Sequence, residues 1–254
     1  LDAIASRVLG DLAAATPLLD GVGGEVLVDV DDTIIEVHGH AKQGAGFGYS
    51  GVRGLNALLG TVTVAGQAPV IAAQRLRKGS TSSPRGPARL VADTLATVAR
   101  LRRDAGSPAG GGPAGRVLLR TDSAFYASAV VAVAIAAGAE VSVTVRMGKR
   151  VKAAIAAIAD VAWTTIKYTD AVWDEQARVW VSVAEVAETP YTAFASKKKS
   201  EQVTGRLVVR RIPDLDPKAV PGQAGLSRAW RFPAFFPPPP AAAAGTVAAD
   251  KTHR

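Results

Sequence analysis

Between residues 25 and 146, β-branched runs and stretches of helical spacing follow one another in an order that few folds accommodate. Glu25 to Val30 (EVLVDV) has strand composition and runs into Asp31, Asp32 and Thr33, with Ile34 to Val37 extending it. After a glycine-rich loop from Gly39 to Gly54, Leu58 to Val64 and Ala68 to Leu76 are two further strand-like runs. They are separated by the turn residues Gly66 and Gln67 and read as a hairpin. Pro84, Gly86 and Pro87 introduce Ala88 to Arg103, in which Leu90, Val91, Leu95, Val98 and Leu101 recur at helical spacing. A flexible connector from Gly106 to Gly115 leads to the strand Arg116 to Thr121 (RVLLRT), the apolar helix Phe125 to Ala137 and the strand Glu140 to Arg146.

The order β, β, β, α, β, α, β predicts an α/β domain whose mixed sheet starts as an antiparallel meander and continues through crossover helices. This is the order of a ribonuclease-H-like fold. Around this core, spanning 25–160, we expect three other segments. Residues 1–24 form an N-terminal helical segment from Ala, Ile, Val and Leu at helical spacing, ended by Pro17 and glycines. Residues 161–236 change to short alternating runs, with all four Trp (163, 173, 180 and 230), and are expected to form a β-rich insertion. Residues 237–254 begin with PPPPAAAAG, a low-complexity joint.

Charge is distributed unevenly. The chain holds 30 basic and 22 acidic residues, a net +8. Residues 1–50, however, set eight acids against only Arg7 and Lys42, so all of the positive excess lies downstream. An acidic focus in a basic chain suits metal-dependent work on phosphodiesters: carboxylates hold cations, while Lys and Arg hold the backbone. The longest apolar stretch, Tyr126 to Ala139, falls short of the roughly 20 residues needed for a membrane span. A soluble protein is expected, with cytoplasmic location as the default. The absence of cysteine excludes disulfides and thiolate metal sites.

Two motifs carry the chemistry. In VDVDDT, residues 28–33, strand alternation sends Asp29 and Asp31 to one face and Val28 and Val30 to the other. Two carboxylates on one side of an apolar sheet repel, unless a hard divalent cation such as Mg²⁺ neutralises them. Equally, a strand can simply end in acids at its solvated tip. In RTDSAF, residues 120–125, Asp122 ends a buried strand 91 residues after Asp31. In a ribonuclease-H-like sheet these strands are neighbours, so the two side chains would converge. The plainer alternative is that Asp122 or Ser123 caps the following helix. Arg75, Arg77 and Lys78 lie beside the Gly79 to Ser83 loop, where they could meet a DNA backbone or merely be solvated. Lys197 to Lys199 reads as a solvent-facing run, and His38 and His40 as structural residues. The four Trp are most simply the small core of the insertion, although one could stack on a flipped base.

The strings DVDDTIIEVHGHAKQGAGFGYSGVRGLNALL, QRLRKGSTSSPRG, RVLLRTDSAFY, GRLVVRRIPDLDPKA and the closing DKTHR, taken together, resemble the insertion-sequence DDE transposases of the 1380 family along almost the whole chain. The resemblance implies a carboxylate triad that uses Mg²⁺ or Mn²⁺ to nick transposon ends in double-stranded DNA and join the freed 3′-hydroxyl to target DNA, with a homodimer in the strand-transfer complex. Asp31, the Asp before a variable residue and Thr, matches the first acid, and Asp122 matches the second. A β-rich insertion before the third acid is also a family feature.

The sequence departs from this pattern in three places. The family's catalytic Glu follows the DKTHR string, where this sequence stops. The chain is therefore expected to be a fragment, inactive alone; Glu185, Glu188 and Glu201 lack the family's context for a substitute. The PPPPAAAA stretch is less polar than its counterpart, and the family's amino-terminal DNA-end-binding region is missing. Two other readings stay open. VLVDVDDT also looks like the DxDxT strand of haloacid-dehalogenase-type phosphatases, with Asp29 as nucleophile and Asp31 as general acid. Lys149 is a candidate for that family's lysine, but Asp214 and Asp216 fit its paired-acid loop poorly. The other reading is a non-catalytic remnant that binds DNA through charge alone.

Overall fold

The computed structural model describes residues 2–39, 41–106, 115–167, 173–174, 179–180, 183–213, 230–232 and 234–237. The chain forms two compact units. One comprises Leu1–Val143 with Lys197–Glu201, and the other Thr144–Ser196 with Gln202–Arg254.

The first unit is built on β1 (Val26–Glu36), β2 (Gly46–Phe47), β3 (Arg53–Val64), β4 (Val70–Lys78), β5 (Val117–Thr121) and β6 (Glu140–Thr144), the last of which ends at the boundary between the units. β3 runs antiparallel to β1 and carries β4 antiparallel on its other side, while β5 is parallel to β1 and β6 parallel to β5. The order β4-β3-β1-β5-β6 is the ribonuclease-H-like mixed sheet expected from the sequence. Its helices are α1 (Asp2–Ala15), α2 (Pro87–Asp104) and α3 (Ser128–Ala136).

Alternation explains β1. Val26, Val28 and Val30 are buried on one face, and the residues between them are only partly covered. α2 buries Leu90, Val91, Leu95, Val98 and Leu101 at the foreseen spacing and packs on β1, β3 and β4. Close approach requires Gly60 on β3, because a Cβ there would collide with the Thr94 hydroxyl on α2. Arg102 ties the helix to the sheet's entrance, donating to the carbonyls of Val22 (2.9 Å), Gly24 (2.6 Å) and Gly115 (2.8 Å). α1 packs on α2 and β4, so the amino-terminal helix shares the compact unit of the ribonuclease-H-like sheet.

The second unit contains α4 (Lys149–Ala156), β7 (Thr164–Lys167), β8 (Trp173–Asp174), β9 (Val179–Trp180), β10 (Val183–Ala193), β11 (Val203–Pro213), β12 (Trp230–Arg231) and β13 (Ala234–Phe236). Antiparallel β7, β10, β11 and β13 enclose Ile166, Val186, Val208 and Phe235. Pro190 is tolerated in β10 because β7 pairs only as far as Val186, which leaves the proline's open side without a ladder to break. The β-rich character matches expectation, but the division falls at Val143/Thr144 rather than at residue 160, so α4, a helix not foreseen, belongs to this unit. No described helix is long and apolar enough to cross a membrane. His40, most of the connector Gly106 to Gly115, Asp214, Asp216 and the joint beyond Pro237, DKTHR included, lie outside the described residues, as do the side chains of Trp173, Trp180 and Trp230.

Candidate active site

The parallel pairing of β1 with β5 sets Asp29 opposite Arg120 and Val30 opposite Thr121. One residue further along each strand stand Asp31 and Asp122, at equivalent positions on neighbours about 4.8 Å apart. The strand period puts Asp29, Arg120, Asp31 and Asp122 on the same side, opposite Val28 and Val30.

These four groups meet different fates. Arg120 clasps Asp29 with both arms, Nε to Oδ1 at 2.8 Å and Nη2 to Oδ2 at 2.9 Å, and this bond raises the guanidinium's proton affinity. The next pair has no cation across it among the described residues. Asp31 is held above its ordinary value of 3.8, first by desolvation of its carboxylate, against the opposing backbone N–H of Asp32. Among charged neighbours Asp122 raises it most, ahead of Asp32 and Asp29. Although Asp31 is exposed as a residue, its carboxyl is covered enough to disfavour the charge. Asp122 uses Oδ1 to accept from the Ala124 N–H (2.8 Å), capping the short 3-10 turn Ser123–Phe125. It caps this turn and not the helix α3, which starts at Ser128 with Ala127 as its N-cap, and its charge acts on Asp31; the bond leaves Oδ2 for another partner.

Asp32 points to the opposite face and is fully engaged. Arg77 Nη2 (2.8 Å), Asn56 Nδ2 (2.7 Å) and Ser83 Oγ (3.0 Å to each oxygen) all donate to it. Arg77 also donates to Asn56 Oδ1 and to the Arg85 carbonyl (2.5 Å), so its side chain is only 11% exposed. The three candidate DNA-binding residues therefore separate. Arg77 is an internal brace, Arg75 forms an ion pair with Asp93, and Lys78 is exposed. Lys78 lines a groove of about 470 Å³ with Arg75, Arg77, Arg85 and Arg89.

Sequence reasoning missed Arg120, Asn56 and Ser83. A signal for the first was present: Asp29-x-Asp31 and Arg120-x-Asp122 share their spacing, which in a parallel pair faces Arg120 to Asp29 whenever the acids align. Asn56 and Ser83 had no local signature, since their role depends on register across β3 and on a loop.

Asp31 and Asp122 together present hard oxygen donors at one mouth, the donor chemistry that Mg²⁺ or Mn²⁺ accepts. No cluster of three or more His, Cys, Asp or Glu suited to a metal exists among the described residues. Glu185 and Glu188 are engaged within the second unit by Arg211 and Arg206, and Glu201 is paired with Lys197. His38 takes no part in the acidic mouth, and Lys197 to Lys199 form an exposed run as read from the sequence. Compared with protein-family models and with curated proteins, the sequence matches neither.

Proposed function

We propose that the first unit is the catalytic core of a DDE-type DNA transposase, which cleaves and joins strands at insertion-sequence ends with divalent cations held by Asp31 and Asp122. The observation that carries this reading is the approach of two carboxylates, with no cation between them among the described residues, where the parallel pairing of β1 with β5 ends. Such repulsion is a standing cost to the fold, and a bound cation relieves it.

When bound, Mg²⁺ or Mn²⁺ supplies Lewis acidity to phosphate oxygens and to an attacking water or 3′-hydroxyl. The chain's own residues hold and orient. Asp31 and Asp122 would each offer the oxygen that its backbone hydrogen bond leaves open. The Asp29–Arg120 clasp fixes the two strands in register directly behind them, and the Arg77–Asp32–Asn56–Ser83 cluster anchors β1 from the other face. Double-stranded DNA as substrate, a homodimer during strand transfer and a cytoplasmic site of action belong to this same reading. With two carboxylates in the described mouth, complete transposition by this chain alone is not expected, and at most slow nicking of single strands is.

Arg120 occupies both oxygens of Asp29, which counts against Asp29 as the nucleophile of a phosphatase. The test is nicking of supercoiled DNA in Mn²⁺. The reading expects slow nicking that Asp31→Asn and Asp122→Asn each abolish. Nicking that survives both substitutions overturns it. Hydrolysis of p-nitrophenyl phosphate lost in Asp29→Asn favours the phosphatase, and salt-sensitive duplex binding with no nicking favours the remnant.

A further inference from the structure

Beside the acidic mouth the first unit carries two depressions that share one wall. The first is a cleft of about 830 Å³ whose lining runs from Ala124, two residues past Asp122, along Ile34 and Asn56 to Phe47 and Tyr49. The second is the groove of about 470 Å³ formed by Lys78 and Arg85 beside Arg75, Arg77 and Arg89, of which Arg77 is paired with Asp32 and Arg75 and Arg89 with Asp93. The wall is the loop 79–85, and Thr81 lines both sides.

The wall is held in place by backbone. Gly79 N–H donates to the Gly44 carbonyl (3.0 Å), Thr81 N–H to Lys78 (2.9 Å) and Arg85 N–H to Ser82 (3.1 Å). At Gly79 an added Cβ would strike the carbonyls of Gly54 and Gly46, and at Gly48 it would come within 2.5 Å of the Gly79 carbonyl. The two loops therefore meet without intervening side chains, and the aromatic residues flanking Gly48 are pushed outward. Tyr49 is 107% exposed and Phe47 67% exposed. Two uncovered rings at the rim of a cleft, with Ser50, Ser80 and Ser82 around them, match no packing need of the fold. Of the acids in the cleft, Asp32 is already neutralised by Arg77, and Glu36 is exposed.

From this juxtaposition we infer that loop 79–85 divides a binding site for an unpaired stretch of DNA. Its phosphates lie along Lys78 and Arg85, with Arg89 beside them, and a base stacks on Tyr49 and Phe47 in the cleft, which opens on the Asp32 face of β1 and meets the turn after Asp122 at Ala124. The inference rests on the proposed function and adds to it the state of the substrate: part of the strand bound beside the core is held out of the duplex. Stacking on rings tolerates any base, while the cations track the backbone, so the site reads strand state rather than sequence.

The experiment titrates the full chain, in EDTA and at low salt, into a single-stranded oligodeoxynucleotide carrying a fluorescent adenine analogue, with the matched duplex in parallel. Stacking quenches the analogue. Tyr49→Ala is expected to weaken single-strand binding about tenfold, the scale of one lost base–aromatic stack, with little effect on the duplex. Tyr49→Phe should restore it, because the ring and not the hydroxyl acts. Lys78→Ala with Arg85→Ala should weaken both substrates and flatten the salt dependence. Because Tyr49 is wholly exposed, an unchanged melting temperature confirms that its variant is folded. Wild-type affinity and quenching in Tyr49→Ala, or equal loss for single strand and duplex, overturns the inference. The absence of metal separates the two claims: quenching that persists in a protein incapable of nicking sinks the catalytic reading and leaves this site standing.

Discussion

The two units use the same strand geometry to opposite ends. In the second, antiparallel register sets Glu185 against Arg211, with Nε to Oε2 at 2.5 Å, and Arg206 reaches Glu188 at 2.8 Å. In the first, parallel register makes an equally good match between Asp29 and Arg120, and two residues later, just past the last paired position, brings Asp122 near Asp31. Opposite charges in register hold a sheet together, and like charges in register weaken it. A fold that keeps like charges there is carrying a cost whose natural relief is a cation from solution.

The comparison can be broken most severely at the brace behind the acidic mouth. Arg77→Ala would leave Asp32 partly buried without its cation, and should cost about 3 kcal/mol, the scale for removing one partner of a buried pair. Urea denaturation measures it, and a loss below the level of an exposed pair would mean that Asp32 is not held as described. In the second unit, Arg211→Ala removes the ion pair to Glu185 and the guanidinium that lies 4.4 Å from the Trp163 ring centroid. A loss of about 1–2 kcal/mol is expected, partly recoverable at Arg211→Lys, because the fork and flat stacking go but the charge remains.

The smallest expected effect has the opposite sign. Asp31 is raised above 3.8 only in the folded chain, so folding disfavours its charged form. That penalty is absent below the ordinary value, where both states are protonated, and is fully felt once pH has passed the raised folded value. Asp31→Asn should therefore stabilise the metal-free protein at neutral pH by about 0.5 kcal/mol, reduced by solvent screening at an exposed site. Melting curves should show the gain shrinking towards zero as pH falls through the ordinary Asp range. A destabilised variant at neutral pH would place Asp31 among the structural acids with Asp29 and Asp32.

Much of the fold was legible because its signals are local. The alternation of Val26, Val28 and Val30, the helical spacing in α2 and the turn at Gly66 each depend on residues close in sequence. Asp31 and Asp122 were legible for a related reason: each follows a short apolar β-branched run, and the element order made those strands neighbours. What escaped depends on contacts between distant segments. Arg77 looks like any surface base until β3 brings Asn56 beside it and β1 brings Asp32. Gly60 looks like a weak point in a strand until Thr94 is laid over it. α4 escaped because KRVKAAIA has only Val151 and Ile155 to bury, too few for a helical stripe to stand out.

Mn²⁺ binding, followed by the loss of the free ion's paramagnetic resonance signal, tests the central claim most directly. Wild-type protein should take up Mn²⁺, competed by Mg²⁺, and Asp31→Asn and Asp122→Asn should each lose it while Asp32→Asn, if folded, keeps it. Equal uptake by all four proteins would contradict the claim that Asp31 on β1 and Asp122 after β5 together form a cation site.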